Sequence, residues 1–498
     1  MVGCLLADPS WALTEYYLDP DFTGTHSGTQ TNPFSTLDAG AWSTINTALA
    51  SGDVTLYCSA RNAGSDTNQV WGVNVDLTQK TANPTGTMTF NGRSKWNSND
   101  ATPSWAAYTG ASKCQVTGFI AQNSAHTKYS KITIDGFVVL QSSGEKAISV
   151  CGDNWTIKNS DISHTVAANN GPTLLIVPTA DAVHAGSGSW CNAMSTIMIQ
   201  DNTIHDSYGE ALYVGAAGCA VNDSTLSVTN CQGMPSHSNI TIDHNTFYNC
   251  GSRSAQGDCI DLKAALTNVT ISRNDITGNG TAGDPSRCIV TQGIQTDGTN
   301  QNYVIERNKI HDCVHNDDAS VAIVDSWGTP NGITFRNNIV TNTSPNAGLK
   351  VYSTQAIGVF VYNNTFYSAA DVAISTNAGT TIVVRNNALL ANNGGGAQTS
   401  LSGTITSDHN AFGGTWPGTC TSCVSGLTTA AFTNVSTQDF TLTPTSVLIG
   451  QGVTIGTFSN DYTGTTRTAP WDIGAYKGGA ASPQIPSAVP TIRVIRRR

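Results

Sequence analysis

The stretch VTISRNDI, residues 269–276, has seven near-copies elsewhere in the chain, and together they decide the fold. The others are IMIQDNTI (197–204), ITIDHNTF (240–247), YVIERNKI (303–310), ITFRNNIV (333–340), VFVYNNTF (359–366), IVVRNNAL (382–389) and ITSDHNAF (405–412). Each reads as one alternating strand followed by a turn. The sixth residue is always asparagine: Asn202, Asn245, Asn274, Asn308, Asn338, Asn364, Asn387 and Asn410, at steps of 43, 29, 34, 30, 26, 23 and 23 residues. Two earlier copies, ITIDGFVV (132–139) and WTIKNSDI (155–162), lack it. A strand-bearing repeat whose shortest period is 23 residues has room for about three short strands and their turns, which makes one rung of a parallel β-solenoid. Asparagine tolerates left-handed backbone and bonds its own turn, so the column is read as a turn device at one corner.

A second strand recurs between these copies: AISVCG (147–152), ALYVGA (211–216), CIDLKA (259–264), CIVTQG (288–293), AIVDSW (322–327) and GLKVYS (348–353). Period-two alternation points Ile148 and Val150, Leu212 and Val214, Ile260 and Leu262, and Leu349 and Val351 inward. Tyr213, Asp261 and Lys350 then share one outward column, and Lys263, Gln292 and Tyr352 the next; around 322–327 the register is open by one residue. Glu210 and Asp258 each stand one residue before their strand and are expected to stack as neighbouring carboxylates, since rungs lie about 4.8 Å apart. The long steps, 42 from Ser160 to Asn202 and 43 from Asn202 to Asn245, place insertions at 165–195 and 206–238, beside the same rungs. Loops on one side of a rigid solenoid are a usual way to wall a binding cleft.

The composition agrees. Only 12% of the 498 residues are charged, the net charge is −10, and the isoelectric point lies near 5.3. Such an acidic chain is a poor candidate for nucleic-acid binding, and its only basic run is the terminal RVIRRR (493–498). No stretch is long and apolar enough to span a membrane. Thirteen cysteines, with close pairs at Cys219/Cys231, Cys250/Cys259 and Cys420/Cys423, point to disulfides and an exported, extracellular protein. CTSC (420–423) has no second half at zinc spacing. Residues 1–15 read as a residual leader, 16–478 as one β-helix domain and 479–498 as a Pro-rich tail. His205, His244, His311 and His409, at strand ends and turn corners, read as structural.

The ladder over roughly residues 120 to 415 resembles the right-handed parallel β-helix superfamily of pectate-lyase-like proteins. Residues 16–58 resemble the beginning of such domains, with an amphipathic helix (Leu37, Trp42, Ile45, Leu49) suited to capping the solenoid. DFTLTPTSVLIGQG (439–452) and APWDIGAYKGG (469–479) resemble the exit. SYGEALYVGAAG and QGDCIDLKAALTNVTI, around Glu210 and Asp258–Lys263, resemble the calcium-dependent polysaccharide lyases of the chondroitinase B and alginate lyase type. That resemblance implies Ca²⁺ held by Glu210 and Asp258, Lys263 as the base five residues after Asp258, and an assisting arginine one rung on. Gln292 stands at that last position, with Arg287 five residues earlier. It further implies an acidic polysaccharide substrate. From their outward columns Tyr213, Gln292, Lys350 and Tyr352 are the candidate sugar contacts. Two other readings fit the same residues: a glycoside hydrolase using Asp258 and Asp261 as acid and base, and a non-catalytic carbohydrate-binding or adhesive solenoid. Lys263 paired with Asp261 on a solvated face is the structural alternative for those two residues.

Overall fold

The computed structural model describes residues 13–479, apart from 61–66, 95–111, 122–126, 143–145, 166–171, 177–192, 216–236, 252–256, 264–265, 279–286, 293–299, 314–318, 325–328, 344–346, 353–355 and 370. Most of the expected leader, nearly all of the tail with RVIRRR, most of the 165–195 and 206–238 insertions, and Cys219/Cys231 lie outside the described residues.

The chain is a right-handed parallel β-helix built on three long sheets of 13, 11 and 13 strands. The first sheet carries the asparagine-repeat strands, from Thr14–Leu18 to Thr404–Asp408, every neighbour pair parallel. The second runs from Asn74–Asp76 to Thr399–Ser400 and contains the site strands. The third runs from Gln69–Val70 to Val424–Ser425. The first strand begins at Thr14, inside the stretch read as leader.

Alternation explains the core. Ile197 and Ile199 stack on Ile240 and Ile242, and these on Val269 and Ile271, in register and buried. Side chains one rung apart thus form continuous apolar columns, the dominant favourable term for a chain so poor in helix. The helix Ala39–Leu49 is capped by Asp38, whose carboxylate accepts from the Ala41 N–H, and it buries Trp42, Ile45 and Leu49 against the first rungs. Trp42 meets Phe90 edge-on at 6.4 Å.

The asparagine column is a buried hydrogen-bond ladder. Oδ1 of Asn245 accepts from both the backbone N–H and Nδ2 of Asn202 at 3.0 Å, and the Asn202 amide also donates to Ile157 O at 2.8 Å. The same links continue through Asn274, Asn308, Asn338, Asn364 and Asn387 to Asn410. The left-handed backbone falls on the residue before each asparagine, not on the asparagine itself: Asp201, His244, Arg273, Arg307, Asn337, Asn363, Asn386 and His409 have φ of 51–58°. The turn thereby sends the preceding side chain out and the ladder asparagine in. In the second of the earlier copies Ser160 fills the ladder place, its N–H donating to Asn202 Oδ1 at 3.0 Å.

Four of the left-handed residues hold the exit segment: Arg307, Asn337, Asn363 and Asn386 donate to Tyr462 O, Asn460 O, Asp472 O and Val453 O. Arg467, buried, fastens it further through Asn337 Oδ1, Gly474 O and Ala475 O at 2.8–2.9 Å.

All nine described cysteines are disulfide-bonded. Cys58 pairs with Cys114, Cys250 with Cys259, Cys288 with Cys313, and Cys420 with Cys423. The expected close pairs at 250/259 and 420/423 are therefore formed.

Candidate functional site

The site is built on three successive strands of the second sheet: Leu212–Val214, Ile260–Leu262 and Ile289–Gln292. Leu212 pairs with Ile260 and Ile260 with Ile289, which fixes the rest by register. Tyr213, Asp261 and Val290 share one outward column; Lys263 and Gln292 share the next. Two residues before the strands the same register stacks Glu210, Asp258 and Arg287, and backbone bonds hold it there: Ala211 N–H donates to Asp258 O and Cys259 N–H to Arg287 O, both at 3.0 Å. The expected stack of carboxylates is present, and the arginine one rung on belongs to the Asp258 column rather than to that of Lys263.

The expectation of a solvated face is corrected. Asp261 points outward from the sheet yet is only 1% exposed, Glu210 is buried, and the Lys263 side chain is 18% exposed. Lys263 Nζ lies 2.5 Å from Asp261 Oδ2 and 5.3 Å from the centre of the Tyr213 ring. The other oxygen, Asp261 Oδ1, is buried and receives no hydrogen bond among the described residues. Asp258 Oδ1 accepts the backbone N–H of Arg287 at 2.9 Å.

Burial and crowding set the electrostatics. Asp258 is pushed up to about 7, first by burial and then by the neighbouring Asp261 carboxylate, against the pull of Arg287 and Lys263. Burial also raises Asp261, opposed by Lys263. For Lys263 burial works against the charge, but Asp261, Asp258 and Glu210 outweigh it and hold the ammonium above its usual value. The Tyr213 hydroxyl is raised by burial, then by Asp261 and Glu210. A proton shared within such a cluster can be passed to or taken from a bound molecule near neutral pH.

Ca²⁺ takes six to eight oxygens, whereas among the described residues no group of three or more His, Cys, Asp or Glu gathers to hold a metal ion. One Asp261 oxygen is already engaged by Lys263 and one Asp258 oxygen by the Arg287 N–H.

The other sugar-contact candidates are distributed unevenly. Gln292 is one rung from Lys263, 5% exposed, and its Oε1 likewise receives no hydrogen bond among the described residues. Lys350 and Tyr352 share the two outward columns but stand three rungs on, past the buried Val290 and Ala322. At about 4.8 Å per rung that is about 14 Å from the cluster. They form their own pair, with Lys350 Nζ 4.0 Å from the Tyr352 ring centre. The open register resolves with Val321 and Ile323 inward and Ala322 outward.

The histidines bond as structural groups, and two form clamps that pattern reading did not foresee. His205 lies between Asp161 at 2.6 Å and Asp206 at 2.7 Å, and His311 between Asp275 at 2.7 Å and Asp312 at 2.6 Å. The repeated IHD triplet is their only sequence signal. His244 pairs with Asp201, and His409 with Asp408.

Residues 187–359 match the family model described as the right handed beta helix region. Among solved structures the chain is similar to a pectate lyase, Pel9A, at 13% identity over 94% of this chain and 97% of that one, with a TM-score of 0.42. It is also similar to a rhamnogalacturonan lyase (13% identity, 77% and 75% covered, TM-score 0.29). A third is a mannuronic acid specific polysaccharide family 6 lyase from human gut microbiota (10% identity, 83% and 82% covered, TM-score 0.35). No curated protein matches the sequence. Among the described residues no helix is long and apolar enough to cross a membrane.

Proposed function

We propose that this β-helix is an exported, polysaccharide-active enzyme that cleaves an acidic polysaccharide by β-elimination at the Glu210–Asp258–Asp261–Lys263–Arg287 cluster. The observation that carries the reading is Lys263: an amine on the outer side of the sheet, fixed by a buried carboxylate and ringed by three acids, with Arg287 one rung from Asp258. In this reading the neutral form of Lys263 Nζ takes the proton from the carbon beside the uronate carboxylate, the C–O bond to the leaving sugar breaks as the C=C bond forms, the departing oxygen takes a proton from solvent, and Arg287 meets the charge gathering on the carboxylate. Tyr213 offers a ring face to the sugar. The disulfide-bonded cysteines support export. A calcium ion would be held by Glu210 and Asp258 and would draw charge from the uronate carboxylate, acidifying the adjacent C–H.

One observation favours a second reading. Asp258 at about 7 beside Asp261 is a carboxyl pair able to share a proton at neutral pH, as a glycoside hydrolase requires. A panel of alginate, pectate, chondroitin and neutral glycans, with and without chelator, separates the readings. Growth of ultraviolet absorbance from an unsaturated product establishes the lyase. Reducing ends without absorbance establish the hydrolase, and neither signal leaves a binding solenoid.

A further inference from the structure

Two acceptor oxygens on the outward columns of adjacent rungs have no donor among the described residues. Asp261 Oδ1 and Gln292 Oε1 are both buried, and neither receives a hydrogen bond among the described residues. They are diagonal neighbours: Leu262 pairs with Thr291, so Lys263 stands opposite Gln292 and Asp261 two residues before it on the same face. Rung spacing and strand rise put their Cα atoms about 8 Å apart, within the span of one monosaccharide. A buried acceptor without a donor is costly, and two on adjacent rungs, one in the column of Lys263 and one in the column beside it, have the chemistry of a site whose donors arrive with a ligand.

We propose that Asp261 and Gln292 form a hydroxyl-reading subsite, selecting a sugar residue whose hydroxyls are free at the positions they face. The inference rests on the polysaccharide reading above and narrows its substrate class. Asp261 Oδ1 can only accept while the carboxyl is ionised and held by Lys263 through its other oxygen. A free hydroxyl donates to it. An O-acetylated or O-methylated position has no proton to give, and an O-sulfated one brings a second negative charge toward Asp261 and Glu210. Gln292 offers the same discrimination without a charge. Its backbone is held by Gln301, whose Nε2 donates to Gln292 O at 2.8 Å, so the side chain projects from a fixed strand. Gln292 is thus a specificity-determining residue, separate from proton transfer.

The test uses the full chain and paired samples of one polyuronate, alginate or pectate, in O-acetylated and alkali-deacetylated forms. Both turnover and equilibrium binding of oligosaccharides by calorimetry are measured. The expected result is at least about tenfold tighter binding of the deacetylated form. Gln292→Leu should lose most of that preference by weakening the deacetylated ligand alone, while Gln292→Glu, still an acceptor, should keep it. Thermal melts confirm that both variants fold. Preference in binding without any turnover would leave the subsite standing and remove the lyase reading. Turnover with equal use of both forms, or a preference that Gln292→Leu leaves untouched, overturns the subsite and leaves the lyase reading intact. Failure of every sample to bind or react overturns both.

Discussion

Lys263 and Asp261 form an ion pair at 2.5 Å in which the carboxylate is 1% exposed and the lysine side chain 18%. Such a pair behaves differently from a surface one. Removing the lysine leaves a buried carboxylate without its counter-charge, at a cost of about 3–5 kcal/mol. Under the lyase reading Lys263→Ala should abolish turnover, and under any reading it should lower the unfolding free energy by about that amount at pH 7. Lys263→Ala combined with Asp261→Asn should recover much of the stability and none of the activity. Lys263→Arg should keep the stability, yet stay inactive, because a guanidinium does not surrender its proton. Denaturant titration of the three variants checks the order. A single Lys263→Ala variant as stable as the parent would mean that the pair is solvated.

The pH dependence of catalysis distinguishes the two proton donors and acceptors of the cluster. Lys263 lies above its usual value of 10.5. A lysine base must be neutral, so under the lyase reading kcat/KM should climb with pH through the neutral range and into strongly alkaline solution without a plateau. The carboxyl pair behaves otherwise: Asp258 is pushed up to about 7, and a rate depending on its protonated form falls as pH rises through that value. A profile bell-shaped about neutrality would transfer the proton chemistry to Asp258 and Asp261.

The fold and the outward columns were legible because both rest on periodicity. The asparagine steps marked the rungs, and alternation alone put Tyr213, Asp261 and Lys350 in one column and Lys263, Gln292 and Tyr352 in the next. What alternation does not carry is depth. Asp261 faces away from the solenoid and is nevertheless buried, because period-two alternation fixes the face a side chain takes and not how exposed that face is. The column likewise left unmeasured the two rungs of Val290 and Ala322 that separate Lys350 from the cluster. The His205 and His311 clamps depend on carboxylates one rung back, Asp161 and Asp275, which no local motif ties to them.

The asparagine ladder should be the most sensitive feature of the scaffold. Asn308 is fully buried; its Oδ1 accepts from the N–H and Nδ2 of Asn274, and its own Nδ2 donates to Ile271 O and Asn338 Oδ1. Asn308→Ala strands several buried polar groups at once, each worth about 1–3 kcal/mol, so a loss of about 3–5 kcal/mol is expected. Asn308→Asp should be no milder, because it replaces a donor with a charged acceptor facing Asn338 Oδ1. By contrast Arg307→Asn, at the left-handed place before it, keeps a backbone conformation that Asn337 and Asn363 already hold and gives up only the Arg307 Nε bond to Tyr462 O, so its loss should be the smallest of the three. Chemical unfolding of the three variants checks the contrast.

Two of the disulfides sit against the charged column itself. Cys259 follows Asp258 and pairs with Cys250; Cys288 follows Arg287 and pairs with Cys313. Each bridge ties the start of a site strand to the end of a third-sheet turn, and so fixes the backbone from which the carboxylate or the arginine projects. Replacing Cys250 and Cys259 together by alanine opens a loop with a sequence separation of 9, for which chain entropy gives about 2–3 kcal/mol of lost stability. If the cluster is the active site proposed above, turnover should fall further than the stability loss explains, by at least about tenfold, because a shift of about 1 Å in a catalytic group costs more than that. Replacing Cys420 and Cys423, which bridge a turn at the far end of the solenoid, should lower stability and leave turnover at parental levels in folded protein. Equal turnover for both double variants would detach the Cys250–Cys259 bridge from the site and leave it as a staple of the scaffold alone.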